Sequence, residues 1–323
     1  MGDSKNMLLS LVFSFRNEEE NIPDLVRRVD AAVAGIEGVK YEMVFVNDDS
    51  TDRSLELLSG LQKRYPIKII NMSRRFGVTP CVLAGFSHAG GDAVIYMDTD
   101  LQDPPELIPK MVALFLDGAD VVHMTRTHRD GESAAKMWLT KQAYRVINFF
   151  SDVRLPENTG DFKLLSRRVV QEILKLSEYD PYMRGLSVWV GYRQEFIHYR
   201  RERRLGGKTH FSLFGKGPIR EFIRGLTAFS AGPLYLSFFF GLFTTLFCFG
   251  LILYAIATKL AGVAVPGISG VLIAVAFFSG IIMISNGLIG LYVARVYNEV
   301  RGRPRYIIRD VIPFEDAGAK EIA

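Results

Sequence analysis

A chain of 323 residues would suit two average domains, but 49% hydrophobic residues and a mean hydropathy of +0.14 exclude a wholly water-soluble protein of ordinary composition. With two cysteines and five histidines, neither a disulfide framework nor a zinc site of His/Cys spacing is expected. The net charge of +4 is modest overall and concentrated locally, as described below.

In chain order, residues 8–15 are an apolar run, read as a strand, that ends at Arg16-Asn17-Glu18-Glu19-Glu20-Asn21; Pro23 then opens a helical pattern to about residue 34. Residues 41–46 form a second strand ending in Asn47-Asp48-Asp49-Ser50-Thr51-Asp52, with a helix after it to about residue 65. Residues 67–71 make a third, leading through Arg74-Arg75-Phe76-Gly77 to a helix that ends near residue 89. Residues 92–97 make the fourth, followed by Asp98-Thr99-Asp100-Leu101-Gln102-Asp103-Pro104-Pro105-Glu106, a helix over 104–116 and a fifth strand over 119–124. Strands alternating with helices of this length predict right-handed βαβ units and a parallel sheet.

Residues 133–150 mix Met137, Trp138, Tyr144, Ile147 and Phe150 with Lys136, Lys141 and Arg145 at roughly helical spacing. Such a helix either lies on a membrane surface or covers the sheet or a subunit contact, and both readings stand. From Arg193 to Arg224 nine Lys/Arg face three Glu, a basic collar whose simplest partner is lipid phosphate. The collar carries no motif for reading nucleic acid, so no nucleic-acid partner is expected.

No charged residue occurs at positions 225–258 or 260–294. Each gap exceeds the ~20 apolar residues that cross a bilayer, which predicts one transmembrane helix near 234–258 and another near 269–294. Arg220 and Arg224 precede the first; Arg295, Arg301, Arg303 and Arg305 follow the second; Lys259 alone lies at the turn between them. The asymmetry predicts a plasma (inner) membrane protein with both termini cytoplasmic. No signal peptide precedes the first strand, so residues before Arg224 are expected on that side too. The expected division is a catalytic domain over 1–211, a juxtamembrane amphipathic helix over 212–230, a two-helix transmembrane hairpin over 231–296 and a cytoplasmic tail over 297–323. Residues 305–311 carry β-branched side chains able to add a strand to a neighbouring chain, and a homo-oligomer is expected.

Three acidic clusters, Glu18/Glu19, Asp48/Asp49 and Asp98/Asp100, stand at the C-terminal ends of successive strands. In a parallel sheet those ends share one edge, where open α/β sheets bind ligands. Taken alone, Asp98-Thr99-Asp100 reads as an acidic turn capping the next helix, with Asp103 before Pro104-Pro105 a good N-cap. Together the clusters favour a nucleotide and a hard divalent metal, Mg²⁺ or Mn²⁺, carrying a diphosphate.

At this point the chain resembles the family 2 glycosyltransferases with a GT-A fold, and within them the polyprenyl-phosphate glycosyltransferases: dolichyl-phosphate mannose synthase and, nearer still, the bactoprenol glucosyltransferases. The resemblance rests on Asn17–Asn21, Val46–Asp52, Arg75-Phe76-Gly77, Ala84-Gly85-Phe86 and Asp98–Glu106, with Thr159-Gly160-Asp161-Phe162-Lys163-Leu164 similar to the subgroup's G-D-F-R-L. A basic acceptor-side motif over Tyr199, Arg201, Arg204, Gly207, Thr209, His210 and Phe211 completes it. Three positions depart from the pattern: Arg16 stands for a usual Tyr, Asp49 for a turn Gly, and His210 for a usual Lys.

The resemblance implies a GT-A, Rossmann-like cytoplasmic domain followed by two transmembrane helices, and an inverting transfer of one hexose, glucose by this subgroup, from a UDP-sugar to undecaprenyl phosphate. It places Glu19, Asp48, Asp98 and Arg184 on the nucleotide-sugar, and Asp100 and Gln102 on the metal. Arg201, Arg204, Thr209 and His210 would grip the lipid phosphate. Asp161 would be the catalytic carboxylate, either as base or as a positioning group, since a phosphate acceptor is already ionised near neutral pH. Other readings are a GDP-mannose-dependent enzyme, a processive synthase and a non-catalytic sensor of nucleotide-sugars. The processive reading lacks its Q-x-x-R-W signature.

Overall fold

The computed structural model describes residues 7–129, 134–156, 159–201, 216–262 and 267–314. Its first half alternates strands and helices: β1 (Met7–Phe15), α1 (Ile22–Ala34), β2 (Val39–Asn47), α2 (Ser54–Leu61), β3 (Ile67–Met72), α3 (Val78–His88) and β4 (Ala93–Tyr96). A single 3₁₀ turn (Pro105–Leu107) then leads into α4 (Ile108–Leu116), and β5 (Val121–Arg129) and α5 (Ala134–Phe150) follow. Next come β6 (Thr159–Ser166), α6 (Arg167–Lys175), α7 (Met183–Trp189) and β7 (Gln194–Arg201). The remainder is α8 (Lys216–Ala228), α9 (Gly232–Leu260), α10 (Ile268–Val300) and β8 (Ile308–Ile312).

The eight strands form one sheet in the order β7-β5-β6-β4-β1-β2-β3-β8. β1 pairs in parallel with both β2 and β4, and β2 with β3, as the βαβ pattern predicts. The sheet is mostly parallel, as a GT-A fold implies, and two of its strands run antiparallel to their neighbours. β6 inserts antiparallel between β4 and β5, and β8 closes the far edge antiparallel to β3. The alternation of apolar and polar residues reports a strand but not its direction, so neither insertion is visible in the pattern. The 305–311 segment does add a strand, but to its own chain's sheet.

Helices cover both faces. On one face α1, α2 and α4 bury Phe13 and Phe45, whose rings stack 4.6 Å apart, with Ile22, Leu25, Val29 and Met111. On the other, α3, α6 and α7 bury Val12, Val44, Ile70 and Leu165. The α5 helix divides its faces: Ile147 is buried against that second core, while Trp138 and Phe149 are 64% and 81% exposed.

Two helical stretches, Gly232–Leu260 and Phe277–Val300, are long and apolar enough to cross a membrane, and their most apolar parts are not buried within the chain. They make the chain membrane-associated. They pack on each other, and Ser237 Oγ donates to the Ser285 carbonyl at 3.4 Å.

Candidate active site

Strand order reverses about β1: β2 and β3 lie to one side, β4 to the other. That switch point opens a crevice at the C-terminal strand ends. The loops after β1, β2 and β4 all emerge there, since Phe15 is level with Asn47, and Val12 with Tyr96.

Two of these loops are tied together. Asn17 Oδ1 accepts from Thr51 N at 2.8 Å, and Glu19 accepts from Arg53 N at 3.1 Å while its own N–H donates to Asp52. Asp48 is buried and accepts from the backbone N–H groups of Phe76 and Gly77 at 2.6 and 3.0 Å, which shapes the loop after β3. Glu19 and Asp48 are therefore both engaged in building the crevice wall. Asn17, Asp49 and Leu101 all adopt left-handed backbone, at φ of 57°, 59° and 57°. For Asp49 this explains the departure noted in the sequence: the position needs the conformation that a glycine adopts most easily. Leu101 is the more costly case, a bulky buried side chain held in that region between Asp100 and Gln102.

The antiparallel insertion of β6 completes the site. Tyr96 on β4 is level with Lys163 on β6, and continuing that register two residues sets Asp98 opposite Asp161. Asp161 is gripped by Arg184 of α7 in a two-pronged pair, Nε to Oδ1 at 3.1 Å and Nη2 to Oδ2 at 2.6 Å. Burial would raise the Asp161 carboxyl, but Arg184, with Lys163 and Arg126 behind it, holds it far below the usual carboxylate range. Asp98 goes the other way: burial first, then the neighbouring charges of Asp161, Asp100 and Asp103, push it up to about 7 against the pull of Arg126. Tyr96 donates its hydroxyl to Asp98 at 3.1 Å.

Asp103 does not cap the following helix; the 3₁₀ turn and α4 begin without any side-chain cap. Its carboxylate, 1% exposed, instead forms the countercharge of the buried Arg126 at 3.2 Å, and Tyr199 Oη donates to the same carboxylate. Arg126 Nε also donates to Tyr199 Oη at 3.1 Å. The guanidinium lies against Gly160, where a Cβ would fall 2.7 Å from Nη2. One residue along the same strand from Asp161 and Phe162 stands Lys163, 2% exposed, which donates to Ser187 Oγ at 3.0 Å. Burial brings its ammonium down to about 8. Sequence reasoning missed Arg126, Tyr199 as its partner, and Lys163; the available signal was a cation within a strand-like segment.

A hard cation fits this donor set. Asp98 is raised first by burial and then by the three carboxylates beside it, and a divalent ion nearby would offset that charge. Among the described residues no three His, Cys, Asp or Glu side chains form a closed cage. Asp100 and Gln102 would offer one carboxylate and one amide oxygen, a sparse protein contribution of the kind that Mg²⁺ completes with substrate phosphates. Arg201 ends β7; Arg204, Thr209 and His210 lie outside the described residues.

The family model for glycosyl transferase family 2 matches residues 10–174, from within β1 to α6, and so includes the loops after β1, β2 and β4 and the Asp161 strand. The chain belongs to this family. Among curated proteins, an uncharacterized glycosyltransferase of Synechocystis sp. is 39% identical over 95% of this chain and 96% of its own. The bactoprenol glucosyl transferase of Shigella phage SfII is 35% identical over 94% of this chain and 98% of its own. The prophage bactoprenol glucosyl transferase homolog of Escherichia coli (strain K12) is 35% identical over 94% and 99%. Among solved structures, glucosyl-3-phosphoglycerate synthase from Mycobacterium tuberculosis, in complex with Mn²⁺, UDP-glucose and phosphoglyceric acid, shares 19% identity, covers 62% of this chain and 73% of its own, and gives a TM-score of 0.42. The chain is a family 2 glycosyltransferase with a GT-A-like mixed α/β sheet followed by two membrane-length helices.

Proposed function

We propose that this glycosyltransferase moves one hexose, glucose by its relatives' names, from a UDP-sugar to undecaprenyl phosphate at the cytoplasmic membrane face. The reading is carried by the pairing of Asp161 with Arg184 beside Asp98, in a chain that also holds two membrane-length helices. Relatives named bactoprenol glucosyl transferase match along nearly their full length and supply the sugar and the lipid.

In the reaction an oxygen of the lipid phosphate attacks the anomeric carbon. The new carbon–oxygen bond forms as the bond to UDP breaks on the opposite face, which inverts that carbon. UDP takes the electron pair. The phosphate arrives ionised, so no proton need be removed from the nucleophile. Asp161, fixed as a carboxylate by Arg184, is then a poor base and a good positioning group for the sugar and acceptor. Asp98 contacts the sugar or ribose, and Glu19 and Asp48 shape the pocket for the nucleoside. Mg²⁺ or Mn²⁺ held by Asp100 and Gln102 would offset charge growing on the departing diphosphate. Arg201, Arg204, Thr209 and His210 take the acceptor phosphate, and the exposed face of α5 with Trp138 and Phe149 rests in the lipid headgroups.

The test is a donor panel of radiolabelled UDP-glucose, UDP-galactose and GDP-mannose against undecaprenyl phosphate, with and without chelator. We expect chelator-sensitive transfer from UDP-glucose and at least a ~100-fold loss in Asp100→Ala. Preference for GDP-mannose would replace the donor assignment. UDP-sugar binding without turnover would make the protein a sensor.

A further inference from the structure

Arg184 stands four residues past Asp180, the last of a run of positions, Leu176, Glu178, Tyr179 and Asp180, that α8, α10 and the chain after α10 grip. Arg305 Nη1 donates to the carbonyl of Leu176 at 2.8 Å. Arg295 of α10 faces Glu178 at 3.5 Å. Both carboxylate oxygens of Glu299, one turn further along α10, accept from the N–H of Tyr179 at 2.9 Å. Arg224 of α8 meets Asp180 through Nε at 2.9 Å and Nη2 at 2.7 Å. These contacts border a cavity of about 400 Å³, lined by Tyr179, Asp180, Arg224, Thr227, Arg295 and Glu299 among others. Polar contacts across a space, more than close packing, thus set where this segment lies.

Packing takes over at α7. Tyr182 lies edge-on to Phe229, which follows α8, and Gly185 has no room for a side chain, because a Cβ would come within 2.0 Å of the Phe229 ring. Gly185 is the residue after Arg184. The helix that carries Arg184 is therefore seated directly on the element that leads into the first membrane-length helix. On its inner side it is pinned to the sheet by Lys163 and Ser187, and Ser187 Oγ donates to the Arg184 carbonyl at 3.1 Å.

We propose that Glu299 and Phe229 are positioning residues for the transfer reaction: they seat residues 176–189 so that Arg184 holds Asp161 opposite Asp98. Neither residue contacts the site itself. The helix ends at the membrane thereby complete a site whose nucleotide-side residues come from β1, β2 and β4. This rests on the part given above to Arg184 and Asp161. It predicts a specific kinetic signature, because the nucleotide side of the crevice is built from other elements and stays intact when this seat is loosened.

The experiment uses the full chain in lipid nanodiscs with UDP-glucose and undecaprenyl phosphate, and monitors UDP binding by calorimetry. Glu299→Ala should lower kcat about 10-fold with UDP affinity unchanged within about twofold, the size of loss that a small misplacement of a positioning group produces. Glu299→Gln keeps an oxygen for the Tyr179 N–H and should lose less than about threefold. Arg184→Ala should lower kcat about 100-fold, and adding Glu299→Ala to it should cost nothing more, because residues that act through one another are not additive. Phe229→Leu should repeat the kcat-only loss in a side chain that still packs. The proposal is overturned if Glu299→Ala leaves kcat unchanged, if its loss multiplies with that of Arg184→Ala, or if UDP affinity falls in step with kcat. Unchanged turnover in Arg184→Ala would instead remove Arg184 from the reaction, and the site assignment under Proposed function would fall first.

Discussion

His123 shows how a single buried side chain makes this fold sensitive to acid. Gln194 spends its amide N–H groups on the carbonyls of Val188 and Gly191, so its Oε1 faces His123 as an acceptor and fixes the proton on Nε2. The ring stacks on Phe196 with centroids 5.0 Å apart, and Nδ1 is buried with no partner, so a second proton has nowhere to bond. Burial, then the adjacent Lys163 ammonium, lower the imidazole to about 4 against the opposing bond to Gln194. The unfolded chain, at about 6.5, binds the proton first. The native state is accordingly destabilised as pH falls from about 6.5 to about 4, by about 3 kcal/mol at the limit. Melting of detergent-solubilised protein at pH 7.5 and 5.0 should show a smaller acid loss in His123→Gln than in the parent. An equal loss in both would show that other groups carry the effect.

At the scale of elements, the inserted strand β6 decides what the crevice contains. It brings Asp161 level with Asp98, Gly160 against Arg126, and Lys163 beneath α7. Gly160→Ala would press a methyl group against a guanidinium that Asp103 and Tyr199 hold from the other side. We expect a stability loss of about 1–3 kcal/mol, as for overpacking elsewhere, and lowered turnover with donor affinity kept. Donor titration followed by single-turnover transfer separates the two, and a loss confined to donor affinity would contradict the placement of Arg126. Much of this site was legible: Asp98, Asp100, Gln102 and Asp161 sit in runs whose spacing carries their chemistry, and the β1–β4 order follows from alternating elements. The Arg126 group was not, because its partners Asp103 and Tyr199 lie 23 and 73 positions away, and only the fold brings them together. The resemblance places Arg184 on the nucleotide-sugar; its pairing with Asp161 depends on a strand direction that periodicity cannot report.

For the whole molecule, β8 is the element with the widest reach. It pairs with β3, and Asn71 links Asn47 at 2.9 Å on one side to Asp310 at 2.6 Å on the other, while Ser73 N donates to the Ile307 carbonyl. The loop after β3, whose amides Asp48 holds, thus depends on the C-terminal segment. Ending the chain at Gly302 should expose the β3 edge, weaken UDP binding several-fold and promote self-association, as unpaired edges do. Calorimetry and size-exclusion chromatography check both, and a truncated chain that binds UDP as the full one does would show that β3 holds this loop alone.

That pairing also has a consequence for biosynthesis. Asn71 and Asp310 are 239 positions apart, and both membrane-length helices lie between them. A ribosome finishes β3 well before β8, so the sheet edge waits unpaired while both membrane-length helices are made. The crevice wall that Asp48 builds with the loop after β3 therefore gains its outer support only after both membrane-length helices have been synthesised, and a nascent chain stalled before β8 carries an open sheet edge. Synthesis of those helices and closure of the sheet are, in this chain order, steps of one folding sequence.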